Sequence, residues 1–124
     1  MKLRKEQMDA LAHSREERFV AEMVRHLRTD LPSHCIRQGL SEPDLEPFVR
    51  KGLAAAHEHG LTSDDGVRQY LECLVVFAPD FDRHPGYADL GRIVNDHSLT
   101  DAEKTDALSW RLLTQGSWKE PKHG

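Results

Sequence analysis

The sequence predicts an all-α fold: a compact single-domain bundle of about five to six helices, with a long N-terminal helix and a central buried helix. Three observations carry the prediction. Apolar residues recur at three- and four-residue spacing through the first thirty positions, which is the period of one helix face. The segment Gly66 to Ala78 is apolar over so much of its circumference that it belongs inside a bundle. Between such segments stand helix caps and stops, among them Pro32, Gly39, Gly60 and the Thr100 to Glu103 pair. A chain of 124 residues suits one core. That core is assigned to residues 1–115, with 116–124 as a mobile tail.

The first helix is expected from Leu3 to about Leu31, as one continuous helix or two nearly collinear ones. Met8, Leu11 and Ala12 lead into Phe19, Val20, Met23, Val24, Leu27 and Leu31. Between Ala12 and Phe19 the inner face carries Arg15 and polar neighbours, so the first turns are expected to overhang the core. Pro32 stops this helix, and a single short turn follows, capped by Ser33 and ended by Gly39.

The third helix is placed from an N-cap at Asp44 to about His59. Pro47 then falls at its third position, where no intrahelical bond is lost. Leu45, Phe48, Val49, Gly52, Leu53 and Ala56 form its inner stripe, with Gly52 allowing close helix approach. Thr62 or Ser63 caps the central helix, and Asp64 and Asp65 sit where its dipole favours negative charge. Val67, Tyr70, Leu71, Leu74, Val75 and Ala78 make one face, and Cys73, Val76 and Phe77 add a second.

Pro79, Asp80, Phe81 and Asp82 read as a structural loop that ends the central helix. Phe81 there is either a plug against that helix or an anchor for a partner. A short helix spans Tyr87 to about Asn95. A capping box at Thr100 and Glu103 opens the last helix, Asp101 to about Thr114, whose stripe is Leu108, Leu112 and Leu113 with Trp110 off it.

Composition narrows the function. The net charge of −4 conceals an acidic middle: residues 38–103 hold five Lys/Arg against thirteen Asp/Glu. Nucleic-acid binding draws on a concentrated basic surface, which this balance does not supply. A mean hydropathy of −0.65 and a longest apolar run of six residues, Cys73 to Ala78, offer no membrane span. The N-terminus lacks an apolar signal core, so a cytoplasmic location is expected. Cys35 and Cys73 fit neither a disulfide framework nor a zinc pattern and read as reduced.

No motif for nucleophilic catalysis, phosphate binding or zinc hydrolysis occurs, and no cofactor is expected. His57 and His59 are two apart, on different sides of a helix, whereas metal ligands on one helix sit three or four apart. Asp80, Asp82 and His84 alternate in a loop and define the metal-dependent enzyme alternative.

The stretches "LRKEQMDAL", "RFVAEMVRHLRTDLPSHC", "GLAAAHEHGLTSDDGVRQYLECL" and "VVFAPDFDRHP" together resemble the small helical accessory proteins encoded beside type VI secretion VgrG and PAAR effector modules. The resemblance spans roughly residues 3–96, with "GLTSDDGVRQYL" and "FAPDFD" its most specific blocks. After Pro85 the chain departs from that pattern: "GYADLGRIV" stands in place of a more apolar, tryptophan-containing segment.

The resemblance implies a non-enzymatic, cytoplasmic adaptor or co-chaperone. Its partner would be a secretion effector, that effector's chaperone or a VgrG/PAAR spike component. It brings no catalytic residues. Leu3, Met8, Leu11 and Arg15 on the overhanging turns are the candidate partner-binding residues. An immunity protein neutralising a neighbouring toxin is the alternative reading, and self-association as a homodimer through the overhang is a further one.

Overall fold

The computed structural model describes residues 5–115. Six α-helices make up the bundle among the described residues: α1 (Lys5–Asp30), α2 (Pro32–Arg37), α3 (Glu42–Glu58), α4 (Asp64–Val76), α5 (Ala88–Val94) and α6 (Asp101–Gln115). A single 3-10 turn, Pro85–Tyr87, precedes α5, and no strand occurs among the described residues. The architecture is all-α, as the sequence predicts. Leu3 and the segment 116–124, including Trp118, lie outside the described residues.

Helix α1 is continuous and ends because Pro32 disfavours helical geometry at the residue before it. Leu31 accordingly leaves the helical region, at φ −130° and ψ 42°. The cap of α2 is therefore Leu31 with Pro32 at the first helical position, and not the expected Ser33: a proline there loses no hydrogen bond and brings its φ ready set. Gly39 and Gly60 take φ of +76° and +82° and end α2 and α3 in left-handed turns.

The start of α3 also corrects the sequence reading. Ser41, not Asp44, is the N-cap, and Asp44 sits one turn inside, its carboxylate accepting the Ser41 backbone N–H and hydroxyl, both at 2.8 Å. Those two bonds hold the Asp44 carboxyl below its ordinary pKa. Pro43 takes the first turn, and Pro47 lies inside the helix, where its ring leaves the Pro43 carbonyl without the usual i+4 donor. Both prolines are exposed, so the break faces outward.

Helix α4 is the centre of the core. Eight of its thirteen residues are buried, from Gly66 through Val76, because α3 covers one side and α6 another. Its cap is Ser63, whose hydroxyl accepts the Gly66 N–H at 3.0 Å. At the α3 crossing a side chain on Gly52 would place Cβ 2.4 Å from Leu71 Cδ2, so the helices approach over bare backbone. Burying one leucine of such a seam contributes roughly 1.5–3 kcal/mol, and Leu27, Leu61, Leu71, Leu90 and Leu108 are all fully buried. Helix α4 stops at Val76, two residues short of the expected Ala78. Arg37 and Gln38 donate to the Val76 and Val75 carbonyls at 3.0 and 3.1 Å, closing its end from α2.

The capping box of α6 is complete: Thr100 N–H donates to Glu103 at 2.8 Å and Glu103 N–H to the Thr100 hydroxyl at 3.1 Å. Its inward stripe is Lys104, Leu108 and Leu112. Leu113 was expected on that stripe but is 54% exposed: with α4 as the main contact, spacing of four from Lys104 fills the inner face and Leu113 turns outward.

Asp101 joins α6 to the start of α4. Its carboxylate accepts the backbone N–H groups of Thr62 and Ser63, at 2.7 and 2.9 Å, and the Ser63 hydroxyl at 2.9 Å. Burial alone would raise its pKa, but these bonds together outweigh it and hold the carboxyl low. Glu17 and Glu42 are also held low, through hydrogen bonds from Arg50 and Arg28. Groups whose folded pKa is depressed contribute stability that is present above the ordinary carboxylate range and lost as pH falls through the folded values. The expected result is a melting temperature that declines as pH drops below about 4, followed by circular dichroism. Asp101→Asn should lower stability at neutral pH and flatten that decline.

Candidate functional site

Two regions hold the candidate residues, the exposed first half of α1 and the loop after α4. The first follows from where α1 finds its partners. From Val20 onward its inner stripe of Val20, Met23 and Leu27 is buried, with Val24 partly so, where α1 packs on α2, α3 and α4, while every described side chain from Lys5 to Glu16 is exposed. Met8 and Leu11 are 55% and 52% exposed, and Arg15 lies one turn further along the same side.

Below this overhang the helix passes over a cleft of about 400 Å³. Phe19, Leu53 and Val67 supply its apolar lining, and Arg15, Arg18, Glu16, Glu22, Asp64 and His57 its charged groups. Ion pairs tie α1 to α3 and α4. Arg50 on α3 grips Glu17 with two bonds of 2.9 and 2.6 Å, and Arg28 grips Glu42 at the α3 N-terminus with 2.7 Å as its shortest contact. His26 bridges Asp30 at 2.7 Å and Glu72 of α4 at 2.6 Å. Met8, Leu11 and Arg15 thus stand on a helix whose second half is fixed at several points. Such a base presents the exposed turns with little reorganisation on binding.

The loop after α4 is built around Phe81, which is fully buried against Tyr70 with ring centroids 5.1 Å apart. Pro79 and Asp80 make the turn over it, the Arg83 N–H closing on the Asp80 carbonyl at 3.0 Å. Asp82 turns toward α3 and meets His59 Nε2 at 3.1 Å, with both side chains largely covered. His84 instead accepts the Gly86 N–H through Nδ1 at 2.9 Å and caps the 3-10 turn. Asp80, Asp82 and His84 therefore do not converge, and among the described residues no three His, Cys, Asp or Glu side chains gather as a metal would require. His57 lines the α1 cleft and His59 faces Asp82, so this pair is also divided.

Burial pushes the Cys35 and Cys73 thiols up, which keeps them protonated and poorly nucleophilic. Burial, with the Asp82 charge next, likewise raises the Tyr70 phenol. Among the described residues no helix is long and apolar enough to cross a membrane.

The His59–Asp82 tether and the buried Lys104 were not anticipated from the sequence. Lys104 Nζ donates to the His59 and Val94 carbonyls, at 2.7 and 2.8 Å, and so joins the ends of α3 and α5. The spacing held the signal: Lys104, Leu108 and Leu112 recur every four residues on one face. No family model matches this chain, and no solved structure matches it.

Proposed function

We propose that the chain is a non-enzymatic, cytoplasmic protein-binding accessory factor, an adaptor or co-chaperone that holds a type VI secretion effector, its chaperone or a VgrG/PAAR spike component before secretion. The resemblance of residues 3–96 supplies the class of partner. One structural observation supports the mode of binding: Met8 and Leu11 stand more than half exposed on the first turns of α1, next to the cleft beneath Phe19. An apolar pair at three-residue spacing suits docking of a helix or groove on the partner.

The test is affinity purification of the tagged chain from its native cell, with mass spectrometry of the proteins retained. A VgrG, a PAAR-type effector or an effector chaperone should be enriched in stoichiometric amount. Retention of a toxin domain, together with rescue of cells expressing that toxin, would overturn the adaptor reading in favour of immunity. Retention of no secretion component at all would overturn it outright.

A further inference from the structure

We propose that the outer face of α6 is a second docking surface, for a partner-protein segment that carries Lys or Arg next to an apolar anchor. The proposal rests on α6 and does not depend on the function proposed for α1. Helical geometry sets Glu103, Asp106, Trp110 and Leu113 opposite the buried stripe of Lys104, Leu108 and Leu112. Trp110 is 68% exposed and Leu113 54%. A tryptophan contributes a contact area of roughly 150–250 Å² when covered, and it is the residue most enriched where binding energy concentrates.

Toward the start of α6 the same face becomes acidic. A depression of about 440 Å³ lies between α6 and the first turn of α4, lined by Ser63, Asp65, Asp101, Ala102, Thr105 and Asp106. The nearby cations are engaged: Arg68 pairs with Asp65, Arg111 with Asp89, and Lys104 is buried on its two carbonyls. Asp106 has no partner among the described residues, and Glu103 spends its hydrogen bonding on the Thr100 cap.

A purely apolar segment would cover Trp110 and Leu113 and leave the acidic end unmatched. A segment with a basic side chain about one helical turn from its apolar anchor matches both. The α4 N-terminus separates this face from the α1 cleft, since Asp64 lines the cleft and Asp65 the depression. The chain can then contact two partners at once.

The experiment uses the full chain with Trp118→Phe, which leaves Trp110 as the sole indole of the two in the sequence. The probes are a synthetic amphipathic Lys/Leu peptide of about four helical turns and its Glu/Leu counterpart. The Lys/Leu peptide should shift Trp110 emission to the blue. Asp106→Lys should weaken its binding by about tenfold or more, while Glu58→Lys, an equal change of charge at an exposed position of α3 outside both clefts, changes it less than about twofold.

Circular dichroism of each variant, with Asp106→Asn as a milder substitution, separates lost binding from lost fold. Equal binding of the Glu/Leu peptide would overturn the proposal, as would equal effects of Asp106→Lys and Glu58→Lys. Sedimentation equilibrium supplies the last arm: a dimer abolished by Trp110→Glu would assign this face to a second copy of the chain and overturn the proposal too.

Discussion

Phe81→Ala should destabilise the protein by about 3–5 kcal/mol, the usual cost of emptying a buried aromatic site. Phe81 is fully buried and packs on Tyr70, which in turn stacks against His59 at 5.5 Å. Removing the ring opens a cavity beside α4 and loosens the loop that carries Asp82, so the Asp82–His59 tether to α3 weakens with it. For a chain of this length the melting temperature should fall by roughly 10–20 °C. Since domains of this size are held by only about 5–15 kcal/mol, the variant sits near the edge of folding. Phe81→Leu, which keeps most of the volume, should recover more than half of the loss. An unchanged melting temperature for Phe81→Ala would mean that the ring serves a partner and not the core.

Lys104→Met should cost about 2–4 kcal/mol by chemical denaturation, for a different reason. The methionine keeps the aliphatic stem and its packing but leaves the His59 and Val94 carbonyls without their ammonium donor. A buried acceptor that loses its partner costs about 1–3 kcal/mol, and here two are lost at the negative ends of α3 and α5. Relief of the buried charge offsets part of the loss. Because α5 is only seven residues long and depends on that contact, amide exchange should rise across Ala88–Val94 more than across α4. A variant as stable as the wild type would show that the two carbonyls find water.

The two residues also show how far the sequence could be read. Helix existence followed from period: the stripe from Val67 to Val75 and the Thr100–Glu103 box are local signals, and local signals survive tertiary packing. The start of α3 was less legible, because Ser41, Asp44, Pro43 and Pro47 permit two cap positions, and the reciprocal Ser41–Asp44 bonds select the earlier one. Leu113 was misplaced, and the burial of Lys104 was missed, for a related reason. Their places depend on which side of α6 meets α4, a property of the bundle that a hydrophobic count along one helix does not contain.

The loop 79–82 showed its acidic residues plainly in the sequence, but their alternation with His84 offered Asp80, Asp82 and His84 as a metal-binding alternative. In the fold the turn at Asp80 sends Asp82 to His59 and His84 to Gly86, so neighbours in sequence become strangers in space. The α1 overhang was legible for the opposite reason. The break in its apolar stripe around Arg15 is a local feature, and exposed turns at Met8 and Leu11 coincide with it.

The central claim is that α1 binds a partner through turns that contribute little to the fold. It is tested most directly by a Met8→Glu/Leu11→Glu double variant, assayed side by side for thermal unfolding and for capture of the secretion component retained by the wild-type chain. Exposed substitutions of this kind change stability by about 0.5 kcal/mol or less each, and glutamate is a good helix former. The melting temperature should therefore stay within a few degrees, while capture falls more than about tenfold, as expected when apolar anchors are lost. Undiminished capture, or a large loss of stability, would contradict the account.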